Sequence, residues 1–283
     1  MALALVLLAT ACGGQTATET TVTSLPASTT STSTTTTSTS TTTTSTSTTT
    51  TTVAATTTVV TTTTVAEPEP ISAANPLRIW VIGDSLTGPI ARGIRAEGAE
   101  TGVVVTFSDS ENGSGLVNPT RLNWPVFVVE RVPEVEPDAV VVVLGANEWQ
   151  RLYTAEGVME PGSPEWEARY SYLVGQFMEL LTYGHTRVYW VSVPIMEDER
   201  RSRLARNVNE LLEAEAALHP AVTFVDIYDL LTDEDDEYAM ELPTYSGDDM
   251  VQVRLEDGIH LTDAGGRRIA EVVFPYIAAD WGL

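Results

Sequence analysis

One segment, AVVVVLG at 139–145, constrains the fold more than any other. Seven residues that are apolar without alternation leave no strand face for water, so this strand has to be covered on both sides. Such strands lie at the centre of parallel sheets held between helices. Short apolar runs at 78–83 (RIWVIG), 103–108, 188–193 and 222–228 read as four further strands. Helical segments lie between them. Ser163-Pro164-Glu165 supplies an N-cap, a proline at the first helical position and an early acid. It leads into Trp166, Tyr170, Leu173, Phe177, Leu180 and Leu181 on one face. Leu204, Val208, Leu211 and Leu212 form a second stripe. Thr262 is placed to cap a last helix whose buried face is Ile269, Val272, Val273, Tyr276 and Ile277. Five strands with intervening helices predict a three-layer α/β/α sandwich around a five-stranded parallel sheet. In such a sheet, ligands bind where the strands end at their carboxyl edge.

The first quarter of the chain cannot join that fold. Residues 16–65 are almost entirely Thr and Ser, without the large apolar side chains needed to offset the entropy of ordering. We therefore divide the chain at 1–12, 13–70 and 71–283: a signal segment, a disordered stalk that suits O-glycosylation, and one folded domain. Residues 1–11 are an apolar run too short to span a bilayer but suited to a signal-peptide core. The run ends in Ala9-Thr10-Ala11-Cys12-Gly13. This resembles a bacterial lipoprotein signal, in which the cysteine carries the lipid, although no Lys or Arg precedes the run. Cys12 is the only cysteine, so no intrachain disulfide is available. The expected location is extracytoplasmic, lipid-anchored to the membrane or released into the cell wall, with the membrane met only through the anchor. The formal net charge is −24 and every basic residue is arginine. Such a surface repels phosphate backbones, which excludes nucleic acid as a partner.

Four short segments carry the chemistry. Gly83-Asp84-Ser85-Leu86-Thr87 follows the first strand, so Ser85 emerges at the carboxyl edge near a helix start. Asn112-Gly113-Ser114-Gly115-Leu116 follows the second strand, and its glycines let a backbone N–H approach a ligand. Gly145-Ala146-Asn147-Glu148 follows the third and places the Asn147 amide at the same edge. Asp257-Gly258-Ile259-His260 precedes the last helix. There Asp257 can bond one ring nitrogen of His260 and leave the other to take a proton from serine. His185 and His219 precede the fourth and fifth strands, at the opposite edge. A nucleophile, a base with its orienting acid and oxyanion donors make up the machinery of acyl transfer, and no cofactor or metal is needed.

GDSLT, the loop glycine, GAN and DGIH, in that order, resemble the four blocks of the SGNH (GDSL-like) hydrolase superfamily. The resemblance spans 78–279. It is nearest a bacterial cell-envelope subgroup, through GLVNPTRLNWP from Gly115, VDIYDLLTDED from Val225 and RLEDGIHLTDAGGRRIA from Arg254. It implies a flavodoxin-like sheet, with Ser85 as nucleophile, His260 as base and Asp257 as its orienting acid. It also implies an oxyanion hole made of the Ser85 N–H, the Gly115 N–H and the Asn147 side chain. Gly113 stays open as an alternative to Gly115. Glu148 stands where the family has Asp, in a position that supports the loop. The implied activity is hydrolysis of a carboxylic ester, with an O-acetyl group on an envelope glycan as substrate and a monomer as the working unit. An O-acyltransferase using the same triad, and a non-catalytic wall-binding module, are the competing readings.

Three further groups qualify as site residues. Trp124, Trp149 and Tyr153 could stack on a sugar or pack in the core. Arg200, Arg201, Arg203 and Arg206 read first as a solvated helix face and second as contacts to an anionic substrate. The acidic run 233–237 (DEDDE) matches no EF-hand spacing.

Overall fold

The computed structural model describes residues 69–155 and 157–283, so Cys12 and the Thr/Ser tract lie outside the described residues. The elements run in the order β1 (Leu77–Gly83), α1 (Thr87–Thr101), β2 (Val104–Ser110), α2 (Trp124–Val135), β3 (Ala139–Val143), β4 (Leu152–Thr154), β5 (Gly157–Met159), α3 (Pro164–Leu181), β6 (Arg187–Val191), α4 (Glu199–Ala216), β7 (Val222–Val225), a 3-10 turn (Tyr228–Leu231), β8 (Glu241–Pro243), β9 (Met250–Gln252) and α5 (Asp263–Trp281). β2, β1, β3, β6 and β7 lie side by side in that order and pair in parallel. Counting sheet strands alone, the order is 2-1-3-4-5. This is the doubly wound arrangement, whose switch point falls between the first and third strands. The three-layer α/β/α sandwich expected from the apolar runs is therefore present.

Strand alternation builds two cores. Leu77, Ile79 and Val81 of β1 and Ala139, Val141 and Val143 of β3 face one side, where Ile90 and Ile94 of α1 and Ile269, Val273 and Ile277 of α5 cover them. Trp80, Ile82, Val140, Val142 and Trp190 face the other side, under Trp124 and Val128 of α2, Tyr170 and Phe177 of α3, and Val208 and Leu212 of α4. β3 is buried along its whole length, as a strand covered on both faces must be. α1 and α5 approach closely through glycine. A Cβ on Gly266 would lie 2.3 Å from the Pro89 carbonyl carbon, and one on Gly93 would lie 2.5 Å from the Ala270 Cβ.

Ser163 and Thr262 cap their helices as expected, accepting from the Trp166 and Gly265 N–H groups at 3.2 Å each. Four features differ from expectation. β7 stops at Val225 rather than 228, because Asp226 accepts from the Tyr228 N–H at 2.9 Å and starts the 3-10 turn. Tyr276 is exposed, since the buried stripe of α5 runs through Ile269, Ala270, Val273, Phe274 and Ile277. α2 forms behind an Asn123 cap with Pro125 in its first turn. The β4–β5 and β8–β9 hairpins, of three residues per strand, are additions to the scheme. Among the described residues no helix is long and apolar enough to cross a membrane.

Candidate active site

Ser85 follows the end of β1. The chain leaves the strand at Gly83 with φ 151°, where a Cβ would sit 1.9 Å from the Val143 carbonyl oxygen of the neighbouring strand. Only glycine fits there. The buried Asp84 then accepts from the Leu86 N–H at 3.0 Å and sets the turn into α1.

His260 comes from the loop before α5. Asp257 Oδ1 accepts the N–H groups of Ile259 (3.0 Å) and His260 (2.9 Å), which winds DGIH into a tight turn. Gly258 takes φ 69° within it, packed against the Glu197 side chain. Arg254, fully buried, donates to the Ile259 carbonyl at 2.7 Å and to the Ile195 carbonyl, clamping the loop to the exit of β6. Burial lowers this guanidinium to about 10, with the charges of Tyr238 and Asp257 opposing, so it remains a cation at neutral pH.

The two loops bring the expected residues together. His260 Nε2 lies 2.9 Å from Ser85 Oγ, and His260 Nδ1 lies 2.6 Å from Asp257 Oδ2. An ionised carboxylate only accepts, so Nδ1 carries the proton and Nε2 is left to accept from the serine hydroxyl. Partial desolvation pushes the Asp257 carboxyl up. The bonds from the His260 ring and the two backbone N–H groups outweigh that and hold it at about 2.

The second and third segments form the adjoining wall. Asn147 donates to Asp84 Oδ2 at 3.2 Å and to the Ser114 carbonyl at 3.1 Å. Glu148, fully buried, accepts from the Leu116 N–H (2.7 Å) and the Val117 N–H (3.0 Å). It braces the glycine loop. Gly115 is buried against this carboxyl, and a Cβ there would lie 3.0 Å from it. A trans peptide sets its C=O and N–H on opposite sides. With the Ser114 carbonyl turned to Asn147, the Gly115 N–H is directed away from that amide. Gly113 instead lines the opening with Ser85, Asn147 and His260. Of the two loop glycines, the geometry therefore favours Gly113 over Gly115 as the donor.

Asp84 and Glu148 form a buried acidic pair under the site. Burial pushes Asp84 up to about 7 against the N–H groups of Leu86 and Ala146, the His260 charge and the Asn147 amide. Burial pushes Glu148 to about 7 as well, against its two N–H donors and with the Asp84 charge adding to the rise. An acid whose folded value exceeds its unfolded one takes up protons on folding. Its contribution is whole below the unfolded value, roughly 4, and is lost as pH rises through about 7. The melting temperature should thus fall between these limits, and Glu148→Gln should make the fall shallower. Calorimetric melting of both proteins across that range checks this. Equal slopes would show that Glu148 does not titrate there. Repulsion within the acidic surface is common to both proteins and drops out of the comparison.

The remaining candidates separate. Trp124 is buried and donates to Ser114 Oγ at 3.0 Å, so it belongs to the core. Tyr153 lies exposed on the β4–β5 hairpin. Trp149, 45% exposed, lines a pocket of about 640 Å3 beside the site, with Arg200, Arg201 and Ile259. Arg203 pairs with Glu199, and Arg206 donates to the Tyr228 hydroxyl. His185 and His219 lie in the loops before β6 and β7, away from Ser85. Asp233 ties its own turn, accepting from the N–H groups of Asp235 and Glu237. Among the described residues no three His, Cys, Asp or Glu side chains converge on a metal-sized site. The sequence reading missed Arg121 in the opening around Ser85, and nothing in the local pattern marks it.

Comparison with known proteins bears on the fold. No curated protein matches the sequence. A protein assigned as an acylhydrolase from Bacteroides fragilis shares the fold with TM-score 0.50 at 17% identity, over 76% of this chain and 91% of its own. A GDSL-like lipase from Bacteroides thetaiotaomicron matches with TM-score 0.47 at 17% identity, over 72% and 88%. A catalytic mutant of an acetylxylan esterase from Geobacillus stearothermophilus matches with TM-score 0.45 at 13% identity, over 72% and 94%. The model of the family described as "Protein of unknown function (DUF459)" matches residues 78–276. The chain belongs to that family, and its fold is that of the SGNH (GDSL-like) hydrolases.

Proposed function

We propose that this protein is a serine ester hydrolase working through an acyl-enzyme. The observation that carries the reading is the unbroken relay from Asp257 through His260 to Ser85 at the carboxyl edge of the sheet. Ser85 Oγ attacks the ester carbonyl carbon as its proton passes to His260 Nε2, and Asp257 stabilises the imidazolium. The C–O bond to the alcohol then breaks, and the alcohol leaves with that proton. Water adds to the acyl-enzyme, its proton going to His260. Collapse of that adduct releases the acid and restores Ser85. The Ser85 N–H, the Gly113 N–H and the Asn147 amide receive the oxyanion. An acylhydrolase assignment on the same fold supports the reaction class. A binding module has no use for such a relay.

The finer reading rests on the sequence. The Cys12 signal and the 13–70 tract make this an extracytoplasmic enzyme, anchored by lipid and held off the membrane by its stalk. The substrate is then an O-acetyl ester on an envelope glycan. Treating the protein with 4-nitrophenyl acetate and, separately, with a fluorophosphonate tests the chemistry. The expected results are release of nitrophenolate and one phosphonate adduct, located on Ser85 by mass spectrometry. Nitrophenolate release no faster than buffer, with no adduct, would overturn the proposal.

A further inference from the structure

Acids outnumber bases 39 to 15 in this chain, so an opening lined by two arginines and no acid stands apart from the rest of the surface. Among the described residues Arg92, Arg131, Arg151, Arg203 and Arg267 pair with carboxylates and the other ten arginines do not; of those ten, Arg121 and Arg201 border the opening at Ser85. Arg201 is half-buried. Its guanidinium lies over the Trp149 ring, 5.6 Å from the centroid, and its backbone N–H donates to the capping Asp198 Oδ1 at 2.9 Å. Arg121 lies beside Gly113, whose Cβ, if present, would be 3.8 Å from Arg121 Nε. Both border the opening of about 310 Å3 that reaches Ser85 and His260, and no carboxylate borders it. The larger pocket next to it carries Glu197, Asp198 and Asp257 beside Arg200 and Arg201, so the serine side is the more favourable of the two for an anion.

We propose that the ester this site accepts is itself an anion, carrying a carboxylate or phosphate a few bonds from the ester carbonyl and held by Arg121 and Arg201. The inference rests on the esterase reading above and names its substrate class. The physical reason is the field. A surface of net charge −24 repels an anionic substrate, and two guanidiniums free of carboxylate partners reverse that locally. Their planar forks match a carboxylate or phosphate in two-bond geometry. Stacking on Trp149 holds Arg201 in place before the substrate arrives.

Two matched ester pairs test this with the full-length protein. 4-Acetoxybenzoate against its methyl ester puts the charge on the alcohol side. The 4-nitrophenyl monoester of succinate against its methyl ester puts it on the acyl side. The wild type should favour the anion in at least one pair by about tenfold in kcat/KM, and that pair identifies the side. Arg121→Gln and Arg201→Gln should each lower the anion-to-neutral ratio about tenfold, in line with loss of a charge-assisted bond. Raised salt should lower it too, and Arg95→Gln, midway along α1 with its guanidinium on the Thr106 carbonyl, should not. A ratio at or below one in both pairs, or one that neither variant moves, overturns the proposal. Should the wild type hydrolyse nothing, the esterase reading fails, and calorimetric binding of 4-acetoxybenzoate and its methyl ester to Ser85→Ala still decides the anion site. Preference for the anion that Arg201→Gln removes upholds it, and equal binding overturns it.

Discussion

Ser85→Ala should lower ester turnover by roughly 10⁴-fold or more while leaving the melting temperature near that of the wild type. The size of the effect follows from how the relay is built. His260 Nε2 faces only Ser85 Oγ, at 2.9 Å, and Asp257 holds the opposite nitrogen at 2.6 Å. Removing Oγ leaves a base with nothing to deprotonate and a substrate carbonyl with nothing to attack it. The fold should tolerate the change, because the turn at 83–86 is set by Gly83 and by the Asp84 bond to the Leu86 N–H rather than by the serine side chain. Rates with 4-nitrophenyl acetate and a thermal melt suffice. Near wild-type turnover would remove Ser85 from the mechanism, and a collapsed melt would assign it a structural role instead.

Asn147→Ala should cost roughly 10²–10³-fold in kcat with a much smaller change in KM. It should also destabilise the fold, by about 1–3 kcal/mol, because a buried acceptor loses its donor. Asn147 follows the buried strand β3, so its backbone is fixed. Its amide lies between Asp84 Oδ2 and the Ser114 carbonyl at 3.2 and 3.1 Å. Both are long bonds, and one N–H can lean towards an oxyanion as charge develops there. Glu148→Asp should change kcat little, since Glu148 meets the Leu116 and Val117 N–H groups rather than the opening. Unchanged kcat in Asn147→Ala beside a dead Glu148→Asp would mean that the oxyanion donor lies elsewhere.

Much of this was legible in the sequence because its signals are local. Continuous apolar runs mark the central strands, and DGIH and GDSLT are each a single turn in which neighbouring residues fix one another. What escaped has a physical reason too. The β4 and β8 strands are three residues long, too short for alternation to show. α2 exposes Val126, Val129 and Val132, which blurs its amphipathic pattern although Asn123 and Pro125 signal its start. Tyr276 sits one residue off the buried stripe, a slip of about 100° around the helix. The Asp84–Asn147 bond joins positions 63 residues apart, and Arg121 reaches the opening from a loop with no periodicity. Sequence order alone could not separate Gly113 from Gly115. The direction of the Ser114 peptide favours Gly113.

The close seam between α1 and α5 has a consequence for biosynthesis. Ser85 enters on the turn before the first helix of the described domain and His260 on the turn before its last, and those helices meet through Gly93 and Gly266. On the proposed mechanism, a chain made from its amino end exposes the nucleophile early and has no base to activate it. One face of the sheet also stays only partly covered, by α1, until α5 emerges. Completion of the fold and onset of reactivity are therefore one event. On the proposed mechanism the nascent polypeptide is inactive, and Ser85 cannot be acylated at a useful rate until the final helix docks.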